Sequence, residues 1–246
     1  MKVIGICLEP KSYDSACGQI LDWIKMRESR YVCVANVHTV MESYDSVHFK
    51  RLINDADLVT PDGMPLVWMM RAKGVKRQER VYGPTLMLKM IELAARENIP
   101  IGFYGGAPEV LESLVYRMQA RYEGLKVVFS CSPPFRVMSL EEDSAIAQQI
   151  NRSGARILFV GLGCPKQEYW MANHRGKVEA VMMGVGAAFD FHSGVKPQAP
   201  LWMQKVGMEW LFRLLAEPQR LWKRYLYHNP RFMVLAIGEL LGLLKS

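Results

Sequence analysis

Four short stretches of this chain carry residues suited to chemistry at places where a β-branched run gives way to a turn. They are Asn36, Thr60-Pro61-Asp62-Gly63, Gly105-Gly106, and Gly161-Leu162-Gly163-Cys164-Pro165-Lys166-Gln167-Glu168. Asp62 is the carboxylate best placed for proton transfer. Set between a proline and a glycine, it fits neither a helix interior nor a central strand, and it follows a run that ends at Thr60. A carboxylate so placed can act as a general base toward any proton within its reach. Pro-Asp-Gly is equally an ordinary turn sequence, and both readings stand on local grounds.

The longest stretch points to an anion. A strand that enters a tight glycine turn and then a helix, with proline near the first helical turn, offers open backbone N–H groups and the positive end of the helix dipole to a phosphate. Lys166 and Gln167 add charge and hydrogen bonding. The dinucleotide-binding pattern is broken, because Lys166 stands where Gly-x-Gly-x-x-Gly needs its third glycine, and the spacing of a Walker loop is absent. Glycines that only turn a strand into a helix would look the same.

Positioning these residues requires a sheet. Strands are expected near Val3–Leu8, Tyr31–Asn36, Asp57–Thr60, Pro100–Tyr104, Lys126–Ser130, Arg156–Gly161 and Ala180–Gly184. Apolar spacings of three and four predict helices at Asp14–Arg27, His38–Asn54, Pro84–Glu97, Pro108–Tyr122, Leu140–Arg152 and Pro165–Arg175. The alternation predicts an α/β fold, a Rossmann-like and mostly parallel sheet covered by helices, with a short helical C-terminal appendage. Ligands of such sheets bind beyond the carboxyl ends of the strands, where all four stretches fall. Asp55 and Asp57 form an Asp-x-Asp pair on the opposite edge, away from that region. His38 and His192 lie at strand–helix junctions but read equally well as helix caps or backbone hydrogen-bonders, and His174 as a helix end. Of the basic cluster Arg71, Lys73, Lys76, Arg77 and Arg80, the first four read as a solvated face.

Charge divides the chain. Residues 196–246 hold eight Lys and Arg against three Glu and half of the six tryptophans, whereas residues 1–195 are nearly neutral. We therefore expect an α/β catalytic domain over 1–195 and a basic amphipathic appendage over 196–246. On an ideal helix Arg213, Arg220, Arg224 and Arg231 fall within about 20° of one line, with Leu211, Leu215, Trp222 and Leu226 on the other side. Pro218 suits the first turn of a helix and Pro230 a further boundary, which would split the stripe over three short helices. Basic and aromatic residues so mixed suit a membrane surface, each Lys or Arg near an anionic leaflet contributing about 1 kcal/mol. Packing of the apolar side on the protein's own body is the alternative. At 246 residues and 50% hydrophobic, the chain can bury a full core. The longest apolar stretch near the end, residues 232–244, is too short to cross a bilayer and contains Glu239. The N-terminus lacks the pattern of a signal peptide, so a cytoplasmic location is expected. Five cysteines without Cys-x-x-Cys spacing exclude a disulfide framework or a structural zinc of that type.

These residues, taken in order, resemble one family. The stretches 34–36, 57–68, 79–83, 103–106, 160–168, 184–190, 209–214 and 217–225 are similar to the bacterial WecG/TagA/CpsF glycosyltransferases, glycosyltransferase family 26, over nearly the whole chain. The resemblance implies an inverting, metal-independent enzyme without cofactor, moving a hexose from a UDP-sugar to a polyprenyl-diphosphate-linked sugar in surface polysaccharide or cell-wall polymer synthesis. It implies Asp62 as the base on the acceptor hydroxyl. Asn36, Gly63, Arg80, Gly105, Gly163, Lys166 and Gln167 would line the pocket, with Asp190 and Lys196 near the nucleotide. Arg213, Arg220, Lys223 and Arg224 would close over the diphosphates. Val34 departs from the pattern, since relatives often place threonine there, and any hydroxyl contact is lost. Implied partners are the UDP-sugar, the polyprenyl-diphosphate-linked acceptor and the inner face of the cell membrane, to which the protein would attach peripherally. Nucleic acid is not expected, and apolar helix faces leave self-association open. N-acetylmannosamine, its uronic acid and glucose remain open as the sugar. A Rossmann-type NAD(P)-dependent oxidoreductase and a non-enzymatic membrane-surface protein are the competing readings.

Overall fold

Ile4 and Gly5 both take positive φ, 47° and 81°, so the chain reverses almost at once. Residues 3–8, expected as one strand of the main sheet, instead form an antiparallel hairpin of β1 (Lys2–Val3) and β2 (Ile6–Cys7). Two successive positive φ values are the geometry of a tight hairpin turn, and they remove this segment from parallel pairing.

The computed structural model describes residues 1–244. After the hairpin and α1 (Tyr13–Lys25), the main sheet begins with β3 (Arg30–Ala35). The expected helix over 38–54 is two, α2 (Val37–Asp45) and α3 (Val47–Asn54). They part at Ser46, whose hydroxyl accepts the Phe49 N–H at 3.2 Å and caps the second helix. Next come β4 (Leu58–Pro61) and α4 (Met64–Ala72), a helix the sequence reading lacks. Gly63 sits at its N-cap with Pro65 in its first turn, so Pro-Asp-Gly is at once a turn and a helix start. The chain continues through α5 (Gly83–Arg96), β5 (Ile101–Gly105), α6 (Pro108–Arg121), β6 (Val127–Cys131), α7 (Leu140–Ser153), β7 (Ile157–Gly161), α8 (Lys166–His174), β8 (Val181–Gly184) and α9 (Ala188–His192). It closes with α10 (Leu201–Lys205), α11 (Glu209–Ala216) and α12 (Pro218–Leu240).

The fold is α/β, as expected. Six parallel strands run in the order β4-β3-β8-β7-β5-β6. Strands β5 and β7 are continuous apolar runs buried on both faces, as covered parallel strands must be, whereas β6 at the edge alternates half-buried and exposed residues.

Pro230 does not end a helix. It lies inside α12, which runs for 23 residues, so the expected three short helices are two, α11 and α12, preceded by the single turns of α10. An internal proline removes a hydrogen bond and costs about 3 kcal/mol. Burial of Phe232 and Ala236 beyond it, with Arg231 gripping Asp45 by two hydrogen bonds of 2.9 and 2.5 Å, offsets that loss. Farther on, Glu239 accepts from Lys73 Nζ at 2.5 Å and from the Ile4 N–H at 2.7 Å.

Internal contacts divide the chain into two units. One comprises Met1–Ser12, Val34–Tyr82 and Pro197–Ser246, and the other Tyr13–Cys33 and Gly83–Lys196. The first unit holds the hairpin, α2, α3, β4, α4 and the C-terminal helices. The second has a core of Phe103, Phe159 and Phe189, with Phe103 and Phe189 edge to face at 5.7 Å.

Candidate functional site

In the first unit, the end of β4 is pinned before any side chain acts. The backbone N–H groups of Asp62 and Gly63 both donate to the Ala35 carbonyl, at 2.8 and 3.2 Å. A Cβ on Gly63 would stand 3.3 Å from Asn36 Cα, so glycine lets the two strand ends approach. Asn36 caps α2, its side-chain oxygen accepting from the N–H groups of His38 (3.0 Å) and Thr39 (3.3 Å).

Asp62 is buried here and meets Arg80. Arg80 Nε donates to the Asp62 carbonyl, and its Nη2 lies 3.6 Å from the Asp62 carboxylate. The same Nη2 donates to Glu209 Oε2 at 2.7 Å, while the Tyr82 hydroxyl donates to Glu209 Oε1 at 3.0 Å and the Tyr82 ring lies 4.0 Å from the guanidinium carbon. Burial opposes the charge on Arg80, but the carboxylates of Asp62 and Glu209 outweigh it and hold the guanidinium above its ordinary pKa. Burial, then those two carboxylates, push the Tyr82 phenol up, so it is a donor at neutral pH. Glu209 had no role assigned from the sequence. Its position at the start of an apolar helix reads as a favourable charge at a helix N-terminus, and only the fold reveals its partners.

Asp62, Gly63, Asn36, Arg80, Glu209, Arg213 and Arg224 all line one cavity of about 380 Å³, closed by α11 and α12. Three arginines and two carboxylates leave it net cationic. Burial lowers the Arg224 pKa, and the nearby Arg213 and Arg220 lower it further, against the favourable influence of Tyr225. Guanidinium groups crowded in this way gain from an anion placed among them. Arg220 and Lys223 are not among the lining residues. Arg220 is exposed and doubly hydrogen-bonded to Glu217, at 2.6 and 2.7 Å, and Lys223 is exposed beside the Trp222 ring.

Part of the C-terminal helices departs from the usual amphipathic plan, although Leu221, Phe232 and Ala236 of α12 are buried in the ordinary way. Arg213 and Arg224 point into the cavity, while Leu215, Trp222 and Leu226, the apolar side of the predicted stripe, are 74%, 46% and 68% exposed. Trp202, Val234 and Ile237 are exposed as well. The alternative in which this apolar side packs on the protein's own body does not hold for these residues. No described helix is long and apolar enough to cross a membrane.

The second unit carries the remaining expected residues. Gly105 (φ 119°) ends β5, where a Cβ would meet the Gly161 carbonyl carbon at 2.6 Å, and a Cβ on Gly161 would meet the Phe189 ring at 2.5 Å. Gln167 is buried and engaged at both ends. Its oxygen accepts the Gly163 N–H at 3.2 Å and its nitrogen donates to Glu168 Oε1 at 2.8 Å. Glu168 is fully buried, which pushes its carboxyl up to about 7 against the lowering effect of Gln167. Lys166 is exposed, and Asp190 is paired with Lys196 at 2.7 Å. His192 hydrogen-bonds the Pro84 carbonyl at 2.9 Å, one of the two roles expected of it.

A profile of the Glycosyl transferase WecG/TagA/CpsF family matches residues 1–246, the whole chain. The chain belongs to that family. Glycosyl transfer is therefore the family's activity, and a reaction of that kind calls for a proton acceptor near one partner and charge stabilisation for the group that leaves the other. Val34 is buried in β3.

Proposed function

We propose that the protein is an inverting hexosyltransferase, moving the sugar of a UDP-sugar onto a polyprenyl-diphosphate-linked acceptor for a bacterial surface polysaccharide or cell-wall polymer. The observation that carries this reading is the first unit's cavity, in which Asp62 shares its wall with Arg80, Arg213 and Arg224. In a single displacement, Asp62 takes the proton of the acceptor hydroxyl as its oxygen bonds to the anomeric carbon. The bond from that carbon to the β-phosphate oxygen breaks on the opposite side, and UDP leaves with the electron pair. Arginines stabilise the diphosphate charge, for which their planar fork is suited. Arg80 also orients Asp62 through its backbone and carboxylate contacts.

The roles of Gly105, Gly163, Lys166, Gln167, Asp190 and Lys196 at the nucleotide, and of Arg220 and Lys223 at the diphosphates, enter through the family resemblance, as does independence of a metal in the transfer step. Residues 196–246 act in this reading as an appendage that brings arginines to the site and rests on the inner membrane surface. Their outward tryptophans and leucines support that placement, since amphipathic helices bury such residues at the headgroup boundary.

The test offers a panel of UDP-sugars with short-chain polyprenyl-diphosphate acceptors and measures UDP release and product anomeric configuration. Turnover should require both substrates and invert the anomeric centre, and Asp62→Asn should lower kcat roughly 10²–10⁴-fold with the fold retained by circular dichroism. Retention of configuration, or an undiminished Asp62→Asn enzyme, overturns the mechanism.

A further inference from the structure

Helices α2 and α12 bring three metal-ligating side chains together in a cluster the transfer mechanism does not use. His38 and Glu42 lie one turn apart on α2, and His228 comes from the buried side of α12. One oxygen, Glu42 Oε1, is 3.6 Å from His38 Nδ1 and 3.6 Å from His228 Nε2. One ligand atom from each residue lies within 4.8 Å of the other two. Distances of 3.6 Å are too long for good hydrogen bonds. They match the ligand-to-ligand edge of a tetrahedral zinc site, where bonds of about 2.0–2.2 Å set ligands roughly 3.3–3.6 Å apart.

The donor chemistry agrees with the spacing. Two imidazoles and one carboxylate suit zinc, cobalt or nickel, whereas calcium and magnesium seek oxygen alone. Asp45 is held by Arg231, so it does not compete for the cluster. His38 and His228 also line the cavity, from which a water can complete the tetrahedron.

We propose that His38, Glu42 and His228 form a binding site for a divalent transition ion, zinc matching best, that fastens α12 to α2. The assignment is independent of the transferase reading and gives the ion no part in the displacement.

Full-length, tag-free protein stripped of metal by chelator dialysis is titrated with Co²⁺ and then Zn²⁺. The expected result is one saturable equivalent of cobalt with visible d–d bands, displaced by zinc, and a higher Tm in the loaded protein. His228→Gln and Glu42→Gln should each weaken zinc binding by about tenfold or more, since even outer-shell changes reach that size. His38→Gln, on a less buried ring, replaces His228→Gln should that variant fail to fold. Absence of saturable binding, a thiolate charge-transfer band marking cysteine ligation, or unchanged affinity in the variants overturns the proposal.

Discussion

After β4 the chain keeps charged side chains around a cavity, whereas after β7 it spends its polar and glycine residues on itself. Both turns carry glycine at the carboxyl end of a parallel strand. At the first, buried Asp62 and Glu209 share the guanidinium of half-buried Arg80, and further arginines stand in the same wall. At the second, Gly105 and Gly161 permit close backbone approach, and the Gln167 amide bonds to Gly163 and Glu168. Glycine at a strand end therefore reports crowding as readily as ligand binding. Buried charge that the protein's own groups only partly balance is the better sign of chemistry, because it persists only where a partner repays the desolvation.

That contrast can be broken by substitution. Glu209→Gln should have the largest effect, since it removes one carboxylate from a buried pair. We expect a loss of about 3 kcal/mol in urea unfolding together with a fall in kcat as Arg80 is released from its clamp. Unchanged stability and rate would mean that Glu209 does not hold the site. Gly105→Ala tests the packing role of the second unit. A Cβ there has no room and φ is positive, so stability should fall by roughly 2–3 kcal/mol, and an Ala variant as stable as the parent would contradict the crowding.

Glu168 sharpens the comparison through pH. Its carboxyl is raised from 4.5 to about 7 by burial, so the folded protein binds its proton more tightly than the unfolded chain. The stabilisation is complete below about 4.5 and is lost as pH rises through about 7. Glu168→Gln should flatten this part of the stability–pH profile in denaturant titrations, and an unaltered slope would show that the carboxyl is not the source. The smallest effect on folding is expected at the exposed helix surface. Trp222→Ser with Leu226→Ser should change stability by less than about 0.5 kcal/mol while abolishing flotation with phospholipid vesicles, and unimpaired flotation would remove the membrane role from this face.

Much of the fold was legible because parallel strands are short apolar runs and their covering helices repeat every three to four residues. Six of the seven expected strands are in the sheet. The hairpin at Ile4-Gly5 was hidden because positive φ at isoleucine leaves no mark in composition. Helix α4 was hidden by a start that looks like a turn, and Pro230 by burial on either side of it. Asp62 could be picked out from its neighbours in sequence, and Arg80 through the family resemblance. Glu209 could not, because its meaning depends on contacts with residues 127 and 129 positions away. Which face of the arginine stripe lies inward was likewise unreadable, since a helical projection separates two faces without saying which one the protein covers.

The pairing of Arg80 with Glu209 also sets a timetable for the chain's birth. The unit that houses Asp62 is assembled from segments at both ends of the sequence, so during translation its first two parts must wait for residues beyond Pro197. Until those residues have been made, Arg80 lacks its second carboxylate, and Arg213 and Arg224 are missing from the cavity wall. A product that stops before residue 197 is therefore expected to lack Glu209, Arg213 and Arg224 and with them most of the charge around Asp62.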